Sequence, residues 1–182
     1  RLEFKGRNIV FILYLSTMMI PITVRLIPSY NLCRNLNMLD TYMGMILPQV
    51  AWSIPFGTFL MRQFYMGIPK QLDEAAKIDG ANHFQIFWKI LLPNTKSSMT
   101  TLGIYTFISA WNNLIWMLLS VRSESKWTVT LGISSICGAS VIKQPTWNLI
   151  MGVIVIGMIP VLILFFAFQK YFMQSVAATG IK

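Results

Sequence analysis

The sequence predicts an all-α protein, a polytopic transmembrane helical bundle. Of its 182 residues, 55% are hydrophobic and only 12% are charged, and the mean hydropathy is +0.59. A soluble domain normally has about a quarter of its residues charged. Four apolar segments also reach the length of roughly 20 residues that a helix needs to cross the hydrocarbon core of a bilayer. These observations place the chain among integral membrane proteins.

The four predicted spans cover residues 8–27, 41–60, 99–121 and 147–168. Proline has no backbone N–H and disturbs a helix interior. We therefore expect a kink at Pro21 in the first span. We expect the second span to be bent or locally unwound, because it contains Pro48, Pro55 and Gly57. Neither an internal repeat nor a low-complexity linker divides the chain, and we interpret residues 1–182 as one membrane domain.

Basic residues predict the orientation, because cytoplasmic loops carry the excess of lysine and arginine. Ten of them fall on one side of the predicted spans: Arg1, Lys5, Arg7, Arg62, Lys70, Lys77, Lys89, Lys96, Lys170 and Lys182. Five fall on the other side: Arg25, Arg34, Arg122, Lys126 and Lys143. The first side should be cytoplasmic, which places the C-terminus inside and the loops 28–40 and 122–146 outside. The formal charge of +9 then marks cytoplasmic loops and not a nucleic-acid-binding surface.

A polar stretch at residues 69–93 separates the second predicted span from the third. Its pattern predicts a short helix from Lys70 to Asp79, which Pro69 starts and Gly80 ends. Helical spacing gives one face of this helix the following residues: Leu72, Ala75, Ala76 and Asp79. Two alanines make a low, free surface that another protein can approach closely.

A second, amphipathic helix is predicted after this turn. Asn82 and Gln85 have the spacing of a capping box, and Pro93 should break the pattern. Between them, apolar residues recur at helical spacing: Phe84, Phe87, Trp88, Leu91 and Leu92. We expect this stripe to face the membrane. Its physics alone favours an ordinary amphipathic loop between membrane helices.

The complete pattern of this stretch resembles the EAA signature of ATP-binding-cassette (ABC) importer permeases. The pattern comprises Glu74-Ala75-Ala76, Gly80 and Ile90-x-Leu92-Pro93. In that family the signature forms the coupling helix, which docks into a groove on the cytoplasmic ATPase subunit. The resemblance implies that residues 69–93 are a coupling-helix loop. It assigns ATPase coupling to Glu74, Ala75, Ala76, Asp79, Gly80, Ile90, Leu92 and Pro93.

The resemblance extends over nearly the whole chain, to the carbohydrate permeases of the maltose/glycerol-3-phosphate type. Further motifs that carry it are Arg62-Gln63-Phe64, Trp111-Asn112 and Gln169-Lys170-Tyr171-Phe172. Such permeases typically have six spans. This chain, which does not begin with Met, would be the C-terminal part of a six-helix type I importer permease, with the N-terminal helices missing. Residues 24–28 and 37–42 favour the glycerol-3-phosphate branch, and the carbohydrate itself is left open.

The resemblance also implies a function and partners. The chain would be the membrane-spanning subunit of an ATP-driven, binding-protein-dependent carbohydrate importer in the bacterial inner membrane, and would form half of the translocation pathway. Its partners would be a second permease subunit, two cytoplasmic ATPase subunits, an extracytoplasmic substrate-binding protein and the lipid bilayer. No cofactor is expected in this chain, because ATP and Mg²⁺ would bind to the ATPase subunit.

Polar residues inside the predicted spans form a second candidate site, the substrate pathway. Asn112 and Asn113 lie in the third span, and Gln49 lies in the second. Adjacent helical residues point about 100° apart. At least one asparagine should therefore face a polar path, because an asparagine that faces lipid is costly. The Trp111-Asn112 element is similar to the pathway-lining helix of carbohydrate permeases. The alternative for each residue is a hydrogen bond between helices.

The predicted outer loop 122–146 contains glycine, serine and proline in a mixture typical of a flexible loop. In the family that the chain resembles, the corresponding loop faces the substrate-binding protein. The resemblance therefore implies that the substrate-binding protein contacts Gly132, Ser134 and Ser135 of this chain. The alternative is a plain connector.

Signatures of enzymes are absent from the sequence. It has no Walker-type phosphate loop, so the chain is not itself the ATPase, and it has neither His-Glu-x-x-His nor Gly-x-Ser-x-Gly. Two cysteines and one histidine are too few for a cysteine/histidine zinc site. We expect Cys33 and Cys137 to be free thiols, with a disulfide between outer loops as the alternative. The alternative functions are a passive channel or scaffold without ATP coupling, and an intramembrane enzyme, for which no catalytic dyad is found.

Overall fold

The computed structural model describes residues 4–142 and 147–180, with side chains over 4–138 and 147–169. Within these ranges every regular element is helical, which confirms the predicted all-α class. The α-helices are α1 (Arg7–Ser16), α2 (Ile22–Asn35), α3 (Tyr42–Gly67), α4 (Gln71–Ile78), α5 (His83–Ile86), α6 (Leu92–Asn94), α7 (Lys96–Trp111), α8 (Leu114–Ser120), α9 (Val129–Ile142) and α10 (Trp147–Gly180). A π-helical segment occupies Phe87–Leu91, and 3₁₀ turns occupy Thr17–Met19 and Glu124–Lys126.

Two helices are long and apolar enough to cross a membrane: α3 and the Trp147–Gln169 part of α10. Two further pairs, α1 with α2 and α7 with α8, pass the same test only if each bent pair counts as one span. The described part of the chain therefore has two to four candidate spans. The upper figure equals the number predicted from the sequence.

The predicted kink at Pro21 is a complete break in the helix. The 3₁₀ turn before it ends at Met19, and α2 begins at Ile22 with Pro21 in an extended conformation at its N-cap. The first N–H groups of a helix have no partner within it, so the N–H that proline lacks costs little here. Because α2 continues to Asn35 and contains Pro28, most of the predicted outer loop 28–40 is helical.

The second predicted span is one uninterrupted helix, α3, of 26 residues. Pro48, Pro55 and Gly57 lie inside it, so the expectation of local unwinding is wrong, whereas the alternative of a bent helix stays a prediction. Membrane helices tolerate such residues where neighbouring groups satisfy the backbone carbonyls that proline leaves free. The helix starts beside Thr41, whose Oγ1 accepts a hydrogen bond from the Gly44 N–H at 3.2 Å.

The third predicted span is broken at Asn112 and Asn113, where the chain bends by 53° between α7 and α8. Asn113 is the N-cap of α8, and its Oδ1 accepts a hydrogen bond from the Trp116 N–H at 3.3 Å. An asparagine side chain offers the backbone a partner other than the next helical carbonyl, which favours a new helix start. The prediction of one continuous helix over 99–121 is therefore wrong.

The predicted outer loop 122–146 contains a helix, α9. Thr128 starts it, because its Oγ1 accepts a hydrogen bond from the Leu131 N–H at 3.3 Å. The glycine and serine content predicted a flexible loop, but apolar residues between them allow a helix, and the prediction is wrong for α9.

Three of the basic residues that predict the orientation lie outside the described residues: Arg1, Lys143 and Lys182.

The chain divides into two compact units, each with its own buried core. The first unit contains Ile54–Ile104, and with it the 69–93 loop. The second contains Met19–Ser53 and Tyr105–Ala167. The two candidate sites of the sequence therefore fall in different units, since Gln49, Asn112 and Asn113 belong to the second.

The core of the second unit surrounds Trp116, whose side chain is 0% exposed. The indole Nε1 donates a hydrogen bond to the Gly44 carbonyl at 3.0 Å, and the ring packs edge-on against Trp52 with centroids 5.2 Å apart. The other buried members of this core are Leu26, Cys33, Met45, Met117, Val121 and Leu131. Cys33 and Cys137 are free thiols, as expected, but they lie in helices and not in loops.

Asp40, between α2 and α3, binds the segment that follows α8. Its Oδ1 accepts hydrogen bonds from the N–H groups of Arg122 and Ser123, each at 3.0 Å, and its Oδ2 accepts the Ser123 hydroxyl. The Lys126 ammonium lies 3.4 Å from Oδ2 and also donates to the Asp40 carbonyl. The hydroxyl and N–H of Ser123, followed by the N–H of Arg122, hold the pKa of Asp40 well below its usual range.

Acidification should destabilise the protein through Asp40. A carboxyl with a depressed folded-state pKa stabilises the fold above its unfolded-state pKa of about 3.9, and this contribution is lost as the pH falls towards the folded-state value. We expect the unfolding temperature in detergent to fall as the pH drops from about 4 towards 2, and Asp40→Asn to reduce that fall. Glu124→Gln, at an exposed acid nearby, is the control. Identical pH profiles for Asp40→Asn and the unmodified protein would contradict this role.

Gly44→Ala should destabilise the second unit. A Cβ atom at this position would overlap the backbone carbonyl oxygen of Met38, which cannot move as a flexible side chain would. We expect a loss of about 1–3 kcal/mol of unfolding free energy, the usual cost of overpacking. Gly103→Ala is the matched control, because a Cβ there meets nothing within 4 Å. Equal stabilities of the two variants in thermal unfolding would disprove the close approach.

Candidate functional site

Helix α4 ends in a complete Schellman motif. Gly80 has the left-handed φ of 81° that the end of this helix requires. The Gly80 N–H donates to the Lys77 carbonyl at 3.0 Å, and the Ala81 N–H donates to the Ala76 carbonyl at 2.9 Å. These bonds satisfy two carbonyls that a helix end otherwise leaves unpaired. The predicted short helix and its end at Gly80 are confirmed.

Helix α4 begins slightly later than predicted. Lys70 is its N-cap, and Pro69 precedes the helix instead of starting it. Asp73 and Glu74 lie in the first turn and Lys77 lies in the last turn. These are the charges that the helix dipole favours at each end.

The second helix starts with the predicted capping box. The Asn82 Oδ1 accepts the Gln85 N–H at 2.8 Å, and the Gln85 Oε1 accepts the Asn82 N–H at 2.9 Å. Hydrogen bonds on both sides of the turn at Gly80 and Ala81 therefore fix the direction in which α5 leaves α4.

A small hydrophobic core, the loop core, folds these helices together. It consists of Ala76, Ile86 and Leu91, which are 7%, 4% and 8% exposed. The Tyr65 and Phe87 rings pack beside it in a T-shaped pair with centroids 6.2 Å apart. Other partly buried residues that pack against the core are Ile68, Ala81 and Ile90. The signature residues Ala76 and Ile90 therefore stabilise the loop from within.

The two signature alanines do not share one exposed face. Ala75 is exposed, but Ala76 is buried in the loop core, so the predicted free alanine surface is wrong for Ala76. Five exposed residues on one side of α4 and at its C-cap are here called the α4 face: Leu72, Glu74, Ala75, Ile78 and Asp79. Ile78 is 87% exposed, so this face is more apolar than predicted.

The second helix does not keep the predicted register. Phe87–Leu91 is π-helical, with its final bond reaching five residues back along the chain. A π-helical turn holds an extra residue and rotates the helix before it relative to the helix after it. Phe84 and Trp88 are 73% and 53% exposed, whereas Leu91 is buried. The predicted single apolar stripe is therefore wrong, because its members point to different sides.

At the last signature residues, Leu92 and Pro93, a side-chain hydroxyl contributes to the hydrogen bonding of the helix backbone. Pro93 stands in the short helix α6 and has no N–H to donate. The Thr95 hydroxyl is shared between the carbonyls of Leu91 and Leu92, at 3.1 Å from each. Thr95 is only 2% exposed, so this bond lies inside the first unit. Leu92 and Pro93 therefore form a junction between the loop and α7.

A cleft of about 850 Å³ lies beside α4. Its polar and charged lining residues are Lys70, Asp73, Glu74, Lys77 and His83. Its apolar lining residues are Tyr65, Phe84, Ile86, Phe87 and Leu91. Charges of both signs around apolar walls are suited to side chains of another protein. Among the residues with described positions, no group of three or more His, Cys, Asp or Glu could hold a metal ion.

Two of the three candidate pathway residues, Gln49 and Asn113, are hydrogen-bonded to each other. The Asn113 Nδ2 donates to the Gln49 Oε1 at 3.0 Å, and the Gln49 Nε2 donates to the Met45 carbonyl at 2.9 Å. Both side chains are half-buried, whereas Asn112 is exposed. The structure thus brings Gln49 and Asn113 together at the bend between α7 and α8, and leaves Asn112 outside this pair.

Gly132, Ser134 and Ser135 lie on α9, not in a loop. Ser134 and Ser135 line a groove of about 270 Å³ together with Leu118, Val121, Arg122, Trp127 and Leu131. Sequence reasoning did not single out Asp40, which holds the segment containing Arg122. Its partners are more than 80 residues away along the chain, so no local pattern marks them.

Comparison with known proteins identifies the family. The family model described as "Binding-protein-dependent transport system inner membrane component" matches residues 1–178. The chain is 34% identical over 180 residues to the arabinooligosaccharides transport system permease protein of Bacillus subtilis, and 38% identical over 174 residues to the sn-glycerol-3-phosphate transport system permease protein of Yersinia enterocolitica. It is 33% identical over 182 residues to a probable ABC transporter permease protein of Bacillus subtilis.

These alignments cover 99%, 95% and 100% of this chain, and 62%, 60% and 60% of the respective relatives. The chain therefore spans less than two thirds of the length of these curated relatives. The helices that could cross a membrane agree with the description of the family as an inner membrane component. Because the family model matches nearly all of the sequence, this chain belongs to the family of binding-protein-dependent transport system inner membrane components.

Proposed function

We propose that this chain is the membrane-spanning subunit of an ATP-driven, binding-protein-dependent ABC importer, and that it forms half of the translocation pathway. The α4 face is the observation that carries the proposal. A Schellman turn, a capping box and the loop core hold α4 in place, yet they leave Ile78 and Ala75 exposed. Family membership supports the same function.

The α4 face docks on a cytoplasmic ATPase subunit. Covering the Ile78 side chain, which is 87% exposed, would contribute about 1.5–3 kcal/mol to the contact. Glu74, exposed in the first turn, accepts a charged or polar donor of the ATPase beside it. ATP and Mg²⁺ bind to the ATPase, and ATP-driven closure of two such subunits moves α4 together with the loop core.

The substrate pathway passes Asn112 at the bend between α7 and α8. An exposed asparagine within a membrane span requires a polar surrounding, such as a water-filled path. Gln49 and Asn113 satisfy each other through their hydrogen bond of 3.0 Å, so their role is to hold the bend that presents Asn112. A second permease subunit supplies the other half of the pathway.

The substrate is a carbohydrate or a phosphorylated polyol. Two relatives are transport permeases for arabinooligosaccharides and for sn-glycerol-3-phosphate, and both of these compounds carry free hydroxyl groups. An extracytoplasmic binding protein delivers the substrate to the side that carries α9, with Gly132, Ser134 and Ser135 near the contact. The 69–93 loop and the C-terminus lie in the cytoplasm, in accordance with the distribution of basic residues.

Glu74→Ala should uncouple ATP hydrolysis from uptake without unfolding the protein. Truncating one partner of a buried interfacial charge pair costs about 2 kcal/mol or more, and about 1.4 kcal/mol corresponds to a factor of ten. We expect binding-protein-stimulated uptake in vesicles to fall at least about tenfold, while the unfolding temperature stays unchanged because Glu74 is exposed.

Glu124→Ala is the matched control, because it removes an exposed acid of the second unit. Gly80→Pro serves as a second test variant, since proline cannot adopt the φ of 81° and would deform the turn. Full coupling of uptake to ATP hydrolysis in both Glu74→Ala and Gly80→Pro would refute the role of the loop.

A further inference from the structure

An exposed stripe follows the chain from the 69–93 loop into α7. Its members lie in α5, the π-helical segment, α6 and α7: Phe84, Trp88, Pro93, Lys96, Met99 and Gly103. They do not form one helical register, because Thr95 at the C-cap of α6 separates α6 from α7. Exposed side chains nevertheless extend from the loop to a helix that belongs to a candidate membrane span.

Phe84 and Trp88 form the aromatic end of this stripe. Their ring centroids lie 6.1 Å apart, and the side chains are 73% and 53% exposed. The opposite side of the same helix carries Ile86 and Leu91, which are buried in the loop core. The loop core thus forms without covering Phe84 and Trp88. These two rings remain available for contact with an apolar environment outside the loop.

The charges beside the pair favour a lipid surface as that surrounding. Lys89 directly follows Trp88, and Lys96 starts α7; both are exposed. Tryptophan is enriched at membrane–water interfaces, and lysine side chains near span ends extend their ammonium groups to the headgroups. The exposed acids Glu74 and Asp79 lie in α4 and at its C-cap, outside this stripe, although Glu74 lines the same cleft as Phe84.

We propose that Phe84 and Trp88 insert into the headgroup layer of the bilayer, with Lys89 and Lys96 beside lipid phosphates. This contact anchors the loop to the membrane surface next to α7. Trp88 then lies on the lipid-facing side of the loop and Ile78 on the protein-facing side, while Phe84 and Glu74 both line the cleft beside α4. The inference goes beyond the proposed function and does not depend on which protein binds α4.

Photocrosslinking in native membranes tests this division. A benzophenone amino acid would replace Trp88 in one variant of the full-length protein and Ile78 in another, and adducts would be identified by mass spectrometry. We expect phospholipid adducts from position 88 and a protein adduct from position 78. Ile86, 4% exposed, is the control position, and it should give adducts within the chain only.

A protein adduct without lipid adducts from position 88 would overturn the proposal, because another subunit would then cover the aromatic pair. Lipid adducts from position 88 with no protein adduct from position 78 would leave the anchor intact and count against the coupling function. If the benzophenone variant at 88 does not fold, tryptophan fluorescence in brominated-lipid vesicles gives the answer. Subtracting the emission of Trp88→Phe from that of the unmodified protein isolates the emission of Trp88. We expect brominated lipids to quench this Trp88 emission, and an unquenched emission would contradict the anchor.

Discussion

Burial of Ala76 against Ile86 and Leu91 is the constraint on which the candidate coupling site depends. Alanine is small enough to let α4 approach the second helix, and the Schellman turn at Gly80 sets the direction of that approach. Once Ala76 faces inward, helical geometry directs Ala75 and Ile78 outward. One buried contact thereby creates both the loop core and the α4 face. This face would be preorganised for a protein that binds it, which lowers the entropy cost of ordering the surface on binding.

The second unit obeys a different constraint, the need to satisfy polar groups among apolar helices. The Trp116 indole donates a hydrogen bond to the Gly44 carbonyl, and the Asn113 amide donates one to Gln49. The carboxylate of Asp40 accepts hydrogen bonds from the backbone after α8. Each of these bonds joins residues far apart in the sequence. They hold the bend between α7 and α8 in a fixed position.

Local chemistry made much of the loop predictable from the sequence. Gly80 needs a left-handed conformation, and Asn82 and Gln85 satisfy each other within four residues, so both features were predicted correctly. The π-helical segment was not predictable, because it depends on how Leu91 reaches the loop core and not on residue type. Helix α9 was missed because its glycines and serines resemble loop composition, and the break at Asn113 because a distant residue, Gln49, helps to hold it. Within the 69–93 loop, helix existence was therefore predicted better than helix register.

If the loop couples to an ATPase as proposed, the α4 face lies on the cytoplasmic side of the membrane. Ala75→Cys, in a chain whose Cys33 and Cys137 are replaced by serine, places one thiol on this face. A membrane-impermeant maleimide should label that thiol in inverted membrane vesicles and not in right-side-out vesicles, and addition of the ATPase subunit should protect it. Labelling in right-side-out vesicles alone would contradict the account, because no cytoplasmic ATPase could then contact the loop.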